Sequence, residues 1–305
     1  MDGLKIMSDG LRTLSLKRPA NPALSVLVRL KNERASLDEF WGRLSSQTIF
    51  PETEVLFLDS GSTDSTLQFL ERLPASVYQV SAEGFCFGAS CNQLLSLSRA
   101  PIACFFSAHV LLEDMDALQK VHSALIGKTR TAAYLRQVPN EIFGATCYER
   151  AFLRKRFPPR PQSELIEMAT PAGFSNAASG LTRDSWEQNP FPEIHGSEDF
   201  IWAERHLALG GKIYYLPGVT VMHSHGDSPD AVYERVRLNV NARKLPRSYS
   251  RALYFFCGVL VAMLAEGSPW MEAYRYASSH ARAYAPEKSN SGNLPSPSDL
   301  EGSIR

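Results

Sequence analysis

Short apolar runs alternate with stretches of helical periodicity through the first half of the chain. The apolar runs, such as LSVLVRL and EVLFL, predict β-strands over residues 24–30, 54–58, 77–80, 102–106 and 132–138. Between them, apolar side chains recur three and four positions apart and predict helices over residues 35–47, 64–73, 89–97 and 116–126. This alternation favours an α/β fold with a mainly parallel central sheet.

The pattern is less regular after residue 138. A basic, proline-rich stretch predicts a loop over residues 154–161. One helix, one strand and three further helices are predicted over residues 197–209, 212–221, 229–244, 249–265 and 269–283. We therefore divide the chain into a loose leader (1–21), a nucleotide-binding α/β domain (22–226), a C-terminal helical extension (227–285) and a disordered tail (286–305).

Composition narrows the class of protein. Hydrophobic residues make up 44% of the chain and charged residues 21%, which provides for a large core. The 32 basic and 32 acidic side chains balance, so no overall field attracts nucleic acid. Five cysteines without a C-x-x-C pair predict free thiols in a reducing compartment.

The apolar segments also bear on location. The N-terminus has no continuous apolar run, so we expect no signal peptide. The run over residues 253–265 is shorter than the roughly 20 residues that span a bilayer, and it predicts a buried helix. We expect a cytoplasmic protein. Peripheral contact with a lipid-linked acceptor or an anionic membrane is a further hypothesis. It rests on the basic residues ahead of that run, which are Arg235, Arg237, Arg243, Lys244, Arg247 and Arg251.

Polar residues follow the predicted strands at their carboxyl ends, where open parallel sheets bind ligands. In LDSGSTD, Asp59 could accept hydrogen bonds from a ribose or a base, or the segment could be an ordinary turn with capping side chains. Gly88 opens a helix that carries Asn92, and its backbone N–H groups could meet a phosphate or sugar. Ser107 and His109 alternate on an extended backbone and could face a divalent cation, although a lone histidine is more often structural.

Two further motifs lie in the second half of the predicted domain. Glu198 and Asp199 open a helix, where acidic residues are favoured; one of them could instead serve as a general base. His223 and His225 lie two positions apart on an extended segment, so they share a face and could offer a metal ligand. A structural role for this pair remains open.

The order of these motifs resembles glycosyltransferase family 2, in particular its rhamnosyltransferase-like branch, over residues 22–226. The segments that carry the resemblance are VRLKNE, LDSGSTD, FCFGASCN, FFSAH and FPEIHGSEDFIWAERHLALGGKIYYLPGVTVMHSH. It implies a GT-A fold and inverting transfer of a sugar from a nucleotide diphosphate sugar to a hydroxyl of a glycan or lipid-linked acceptor in polysaccharide biosynthesis. The branch implies rhamnose as the sugar.

The resemblance also implies roles for individual residues. Asp199 takes the position of the general base, with Trp202 and Arg205 supporting its helix. The residues assigned to the nucleotide and donor sugar are Arg29, Asn32 and Glu33 at the nucleotide end, Asp59 at the nucleobase or ribose, and Gly88 and Asn92 near the donor.

The chain departs from the family at its metal motif. Where the family has Asp-x-Asp, this sequence has Ser107, Ala108 and His109. The resemblance therefore implies that Mn²⁺ or Mg²⁺ is held by His109 with His225, without the charge that a first aspartate supplies. This departure keeps open a non-catalytic nucleotide-sugar-binding module. A nucleotidyltransferase is the other alternative, but the first strand does not lead into a glycine-rich, lysine-bearing loop.

Overall fold

The computed structural model describes residues 11–83, 85–161 and 165–286. The predicted disordered tail, apart from Pro286, lies outside the described residues, as do the first ten residues of the predicted leader.

Within the described residues the chain forms one mixed sheet flanked by helices. Its strands are β1 (Arg12–Ser15), β2 (Leu24–Leu30), β3 (Thr53–Asp59), β4 (Ser76–Gln79), β5 (Ile102–Ser107), β6 (Leu111–Leu112), β7 (Thr131–Val138), β8 (Ile166–Glu167), β9 (Ala178–Thr182) and β10 (Lys212–Met222). Its helices are α1 (Arg34–Ser45), α2 (Thr66–Leu70), α3 (Phe87–Leu97), α4 (Ala117–Leu125), α5 (Cys147–Arg156), α6 (Arg183–Gln188), α7 (Glu198–Ala208), α8 (Pro229–Ala242), α9 (Tyr249–Ala265) and α10 (Trp270–Arg282).

The strand order is β1-β4-β3-β2-β5-β9-β7-β10-β6, with β8 paired to β10. Strands β2 to β5 are mutually parallel along this order, and β7 is parallel to β10. Strand β9 runs antiparallel to both β5 and β7, so these two strands point the same way. The carboxyl ends of β2, β3, β5, β7 and β10 therefore meet at one edge of the sheet. The predicted α/β class with a mainly parallel central sheet is confirmed.

Successive side chains of the central strands point to opposite faces of the sheet, and both faces are buried. In β2, Val26 and Val28 pack into one apolar cluster with α1 and α4, and Leu27 packs into the cluster on the opposite face. The second cluster contains Trp202 of α7, which has no exposed surface. Because successive side chains of a strand point to opposite faces, a continuous apolar run suits this position.

A third apolar cluster joins the C-terminal helices. Val232, Val236 and Val240 of α8 pack with Met263 of α9 and with Ala273 and Tyr276 of α10. The last sheet strand ends at Met222 and α8 begins at Pro229, on either side of the boundary that the sequence predicted between 226 and 227. Among the described residues, no helix combines the length and hydropathy needed to cross a bilayer.

The structure corrects three expectations. Arg12–Ser15 is a strand paired with β4, so this part of the predicted leader is not loose. The predicted loop over 154–161 begins inside α5, which a capping box between Thr146 and Glu149 starts and which buries Leu153. The predicted buried helix over 253–265 lies within α9, whose only buried residue is Met263.

Candidate active site

Residues predicted to bind the nucleotide gather at the carboxyl edge of the sheet. Arg29 of β2 lies beside Ser107 of β5 in the parallel register, and Leu30 lies beside Asp59 of β3. The adjacency follows from the parallel pairing of three strands whose polar residues come at the same end.

Asp59 and Asn32 shape the rim of this edge. The buried carboxylate of Asp59 accepts the backbone N–H groups of Gly61 and Ser62, each at 3.0 Å, in a turn where Gly61 has φ +85°. Asn32, itself in the left-handed region at φ +55°, accepts the N–H of Thr63 at 2.8 Å. The Asp59 bonds close the turn after β3, and the Asn32 bond ties the loop after β2 to that turn.

Gly88 and Asn92 of α3 hold the segment before α7. The side-chain oxygen of Asn92 accepts the N–H of Phe191 at 2.9 Å and the indole N–H of Trp186 at 3.0 Å, and its amide donates to the Phe191 carbonyl at 3.0 Å. A Cβ on Gly88 would lie 1.7 Å from the carbonyl oxygen of Pro192. Packing explains both residues, and the contact with the donor that the sequence assigned to them stays a prediction.

The two acidic residues that open α7 face different neighbours. Glu198 is buried and forms an ion pair with Arg29 at 3.1 Å, while Arg29 also donates to the Phe87 carbonyl at 2.6 Å. Asp199 accepts the backbone N–H of Asn176 at 3.3 Å and that of Phe200 at 2.7 Å. Of the two, Asp199 is therefore the carboxylate without a cationic hydrogen-bond partner.

The turn into α7 is strained where these residues begin. Gly196 and Ser197 both have positive φ, at +91° and +55°. Ser197 occupies the N-cap position, but its hydroxyl donates to Asn239 at 2.8 Å instead of capping the helix. This contact anchors the turn to α8, and the strain is typical of functional sites.

The environment of Asp199 suits a proton acceptor. Withdrawal from solvent and the neighbouring Glu198 carboxylate raise the pKa of Asp199 to about 6, against the opposing effect of Arg156. A carboxyl group with this pKa is mostly ionised at neutral pH and remains a stronger base than an ordinary aspartate.

Three histidines meet at the same edge of the sheet. His109 follows β5, and His223 and His225 follow β10. Potential ligand atoms of the three side chains all lie within 4.8 Å of one another. The sequence named His109 and His225 as the metal ligands, and the structure adds His223 to them.

Each histidine is held by a residue from another element. His109 Nδ1 lies 3.0 Å from Glu33 Oε1, and His223 Nδ1 lies 2.7 Å from Gln137 Oε1. Glu149 of α5 accepts the backbone N–H of His225 at 2.5 Å. These contacts place Glu33 behind the histidine cluster, where it supports a ring, in addition to its place at the predicted nucleotide end.

The cluster has the chemistry of a metal-binding site. The Nε2 atoms of His109 and His223 are buried, and among the described residues neither has a hydrogen-bond partner. Burial, and then repulsion from His109, lowers the pKa of His223, which keeps its ring neutral. A neutral imidazole that is bonded through Nδ1 and bare at Nε2 is the usual state of a metal ligand. The residues present therefore fit a divalent cation.

Sequence reasoning missed three supporting residues. Glu149 stands at the third helical position of a Thr-x-x-Glu capping box, a signal that was available in the sequence. Gln137 and Asn176 carry no pattern of their own, because each acts on a residue far away in the chain.

One family model and one characterised protein are similar to this chain in sequence. The model of the family Glycosyl transferase family 2 matches residues 25–173. The O-antigen chain rhamnosyltransferase WbaN of Salmonella anatum is 25% identical over 222 residues, which cover 70% of this chain and 70% of that protein.

Two solved structures are similar in fold. The mannosyltransferase PcManGT from Pyrobaculum calidifontis, in complex with GDP-Man and Mn²⁺, has a TM-score of 0.57 and 19% identity, covering 93% of this chain and 80% of that one. Residues 1–349 of S. aureus TarS, in complex with UDP-GlcNAc, have a TM-score of 0.51 and 16% identity, covering 87% of this chain and 93% of that one. These likenesses confirm the predicted GT-A fold.

Proposed function

Because this chain belongs to glycosyltransferase family 2, we propose that it transfers a sugar from a nucleoside diphosphate sugar to an acceptor hydroxyl with inversion at the anomeric carbon. The observation that carries the proposal is Asp199, a carboxylate with a pKa of about 6 that stands apart from the Arg29–Glu198 ion pair. Its position at the start of α7 is the position that the family resemblance assigns to the base.

The relative from Salmonella anatum supports a proposal for the donor sugar and the product. WbaN is an O-antigen chain rhamnosyltransferase, and it shares 25% identity with this chain. We therefore include a rhamnose donor and a role in cell-surface polysaccharide synthesis in the proposal. The GDP-Man and UDP-GlcNAc of the similar structures support a nucleoside diphosphate as the carrier.

The reaction is a single in-line displacement. Asp199 accepts the proton of the acceptor hydroxyl as its oxygen attacks the anomeric carbon, and the bond from that carbon to the nucleoside diphosphate breaks. The N–H groups of Asn176 and Phe200 orient the carboxylate for this step. Arg29 pairs with Glu198, so this second carboxylate is engaged in an ion pair while Asp199 is left to accept the proton.

We assign the histidine cluster to a divalent cation. His109, His223 and His225 would hold it, with Ser107 at the first position of the family's metal motif. A cation bound there would offset negative charge on the departing diphosphate. Glu33 and Gln137 hold the rings of His109 and His223 through Nδ1, so both Nε2 atoms stay available.

Peripheral membrane contact is also part of the proposal. Leu253, Tyr254 and Val261 of α9 are between 63% and 72% exposed, and Trp270 and Met271 of α10 are 57% and 67% exposed. An apolar helix surface of this kind, next to the basic residues that precede α9, is typical of proteins that lie on an anionic bilayer.

The proposal is tested by replacing the base. We expect Asp199→Asn to lower kcat by about 10²–10⁴-fold, because an amide cannot accept the proton. Binding of the nucleoside diphosphate should be unchanged. The wild-type kcat/KM should fall as the pH drops through about 6, since the raised pKa of Asp199 means that the carboxylate becomes protonated there.

Glu204→Gln provides the matched control, since Glu204 is exposed one turn further along α7. It should leave turnover intact. Near-wild-type turnover by Asp199→Asn with a panel of nucleotide sugars would remove Asp199 from the mechanism. Donor binding without turnover by the wild type on any acceptor would instead favour a non-catalytic module.

A further inference from the structure

A large cavity lies between the sheet and the C-terminal helices. Its volume is about 880 Å³, within the range of sites for small and medium-sized ligands. Aromatic and aliphatic side chains from α5, α9 and the strands form most of its wall, including Tyr148, Phe152, Tyr215, Phe255, Val259 and Met263. No element among the described residues fills this space, so the cavity can accept an apolar ligand.

The same cavity is lined by four cations. They are Lys155, Arg156, Arg160 and Arg243, and no acidic residue is among the described residues that line the cavity. Across the part of the chain that the structure describes, none of the four forms an ion pair with a carboxylate. Arg156 is near enough to Asp199 to counter the rise in the pKa of that carboxyl, and the cluster of four cations as a whole is complementary to a phosphate or diphosphate.

The cations differ in depth. Arg156 is half-buried, and its guanidinium lies 5.5 Å from the ring centre of Phe152. Lys155, Arg160 and Arg243 are exposed, which places them where the cavity opens to solvent. The charge is therefore concentrated towards the opening, while the wall is apolar.

The cavity adjoins the proposed base. Phe200, the residue after Asp199, lines it, and Arg243 stacks over the Phe200 ring at 3.6 Å. Ala172 and Gly173 also line it, shortly before Asn176, whose N–H bonds the Asp199 carboxylate. A molecule held here would lie next to the group that accepts the proton.

We propose that this cavity is the acceptor site and that the acceptor is an amphipathic lipid in which a hydrocarbon chain is joined through a phosphate or diphosphate to a sugar. The inference rests on the proposed function, since it identifies the molecule that supplies the hydroxyl. A free glycan would leave the apolar wall unmatched, and a neutral lipid would leave the cations unmatched. Tyr254 of α9 lines the cavity and is also 72% exposed, whereas Leu253 and Val261 of the same helix are exposed and do not line it.

The test uses farnesyl diphosphate as the probe, with the full-length protein and without donor or divalent metal. We expect calorimetric binding at least tenfold tighter than that of either inorganic diphosphate or farnesol. Inorganic diphosphate lacks the hydrocarbon chain that would fill the apolar part, and farnesol lacks the charge that would pair with the cations. UDP should not displace the probe, since the proposed nucleotide site lies at the carboxyl ends of β2 and β3.

Two variants change the cavity in different ways. Lys155→Glu combined with Arg160→Glu should weaken farnesyl diphosphate binding at least tenfold by reversing the charge at the opening. Ala262→Trp should abolish binding by filling the apolar part, and its thermal unfolding shows whether the chain still folds. Arg72→Glu is the matched control, because Arg72 is an exposed cation near the opposite end of the sheet.

Equal binding of farnesol or of inorganic diphosphate would overturn the inference, as would displacement by UDP or unchanged binding in the charge-reversed variant. This outcome is separate from that of the proposed function. The binding assay involves no turnover, so it can succeed where Asp199→Asn contradicts the mechanism, and it can fail where the mechanism holds.

Discussion

At the scale of single residues, the adjacent acids Glu198 and Asp199 acquire different roles from distant partners. Glu198 is paired with Arg29, which is 169 positions away, and Asp199 is bonded by the N–H of Asn176. Both acids have the same explanation in the sequence, as favourable charges at a helix N-terminus. The fold therefore separates two roles that local sequence cannot separate.

The histidine cluster gives a prediction at this scale. Gln137→Leu removes the acceptor of His223 Nδ1, so the ring loses its orientation. We expect divalent metal affinity to fall by about 10–100-fold, as is typical when the group behind a ligating histidine is lost. Because three imidazoles form the donor set, Co²⁺ and Mn²⁺ should bind more tightly than Mg²⁺.

Calorimetric titration with each cation measures both effects. Gln119→Leu is the matched control, because Gln119 lies on the exposed side of α4, and it should leave metal affinity unchanged. Wild-type affinity in Gln137→Leu, or Mg²⁺ binding as tight as that of Mn²⁺, would contradict the assignment of the cluster.

Much of the candidate site could be predicted from residues that stand directly after strands. Asp59, Ser107 and His109 were found in this way, because strand ends can be recognised from apolar runs. His223 was visible as half of a His-x-His pair. Gln137 could not be recognised, since its side chain matters only because β7 and β10 lie side by side.

At the scale of elements, α3 and the segment before α7 form one packed unit. Gly88 permits backbone contact with Pro192, and Asn92 makes two hydrogen bonds to the backbone of Phe191 and one to the indole of Trp186. This unit sets the position from which α7 and its two acids begin.

Gly88→Ala tests this packing. The added Cβ would meet a backbone carbonyl, which cannot rotate away as a side chain could. We expect a loss of about 1–3 kcal/mol in the free energy of unfolding, as for other overpacked positions. Urea denaturation measures it.

Gly42→Ala is the control for the same chemical change in a helix. No atom lies within 4 Å of a Cβ at Gly42, so this variant should gain about 0.5–1 kcal/mol from the better helix former. Equal stability of the two variants would show that the contact of α3 with Pro192 is not tight.

Elements with strong apolar patterns were predicted well, and those that depend on tertiary contact were not. Strand β2 has the bounds that the sequence gives, because LSVLVRL is buried on both faces. Strand β9 was not predicted, because its five residues, ASGLT, have mostly small side chains and form no apolar run. Its Gly180 is required by contact, since a Cβ there would lie 2.9 Å from Val121 of α4.

At the scale of the whole molecule, balanced charge hides a local asymmetry. The 32 basic and 32 acidic residues cancel, yet basic residues concentrate ahead of α9, and large apolar side chains are exposed on α9 and α10. The sequence predicted helices here, but it could not predict that so little of α9 is covered.

This asymmetry predicts binding to anionic vesicles. The purified protein should co-sediment with vesicles that contain phosphatidylglycerol. Binding should be stronger at low salt, because salt screens the attraction between exposed cations and the anionic surface. Leu253→Glu combined with Val261→Glu should reduce the bound fraction several-fold.

Ile126→Glu is the control, since Ile126 is 49% exposed at the end of α4, outside the C-terminal helices. The membrane assignment fails if the wild type ignores anionic vesicles at low salt, or if the α9 variant and the Ile126 variant bind equally well.

The reversed strand β9 has one more consequence. Because it begins at the edge where its neighbours end, the backbone that leads into it, including Asn176, enters the molecule at the reaction centre. It forms a seam between β2, β3 and β5 on one side and β7 and β10 on the other. Asp199 is hydrogen-bonded to this seam. In the proposed mechanism the nucleotide lies against the half that contains β2 and β3, and the histidines that would hold the cation come from both halves, so the position of β9 sets the spacing between them.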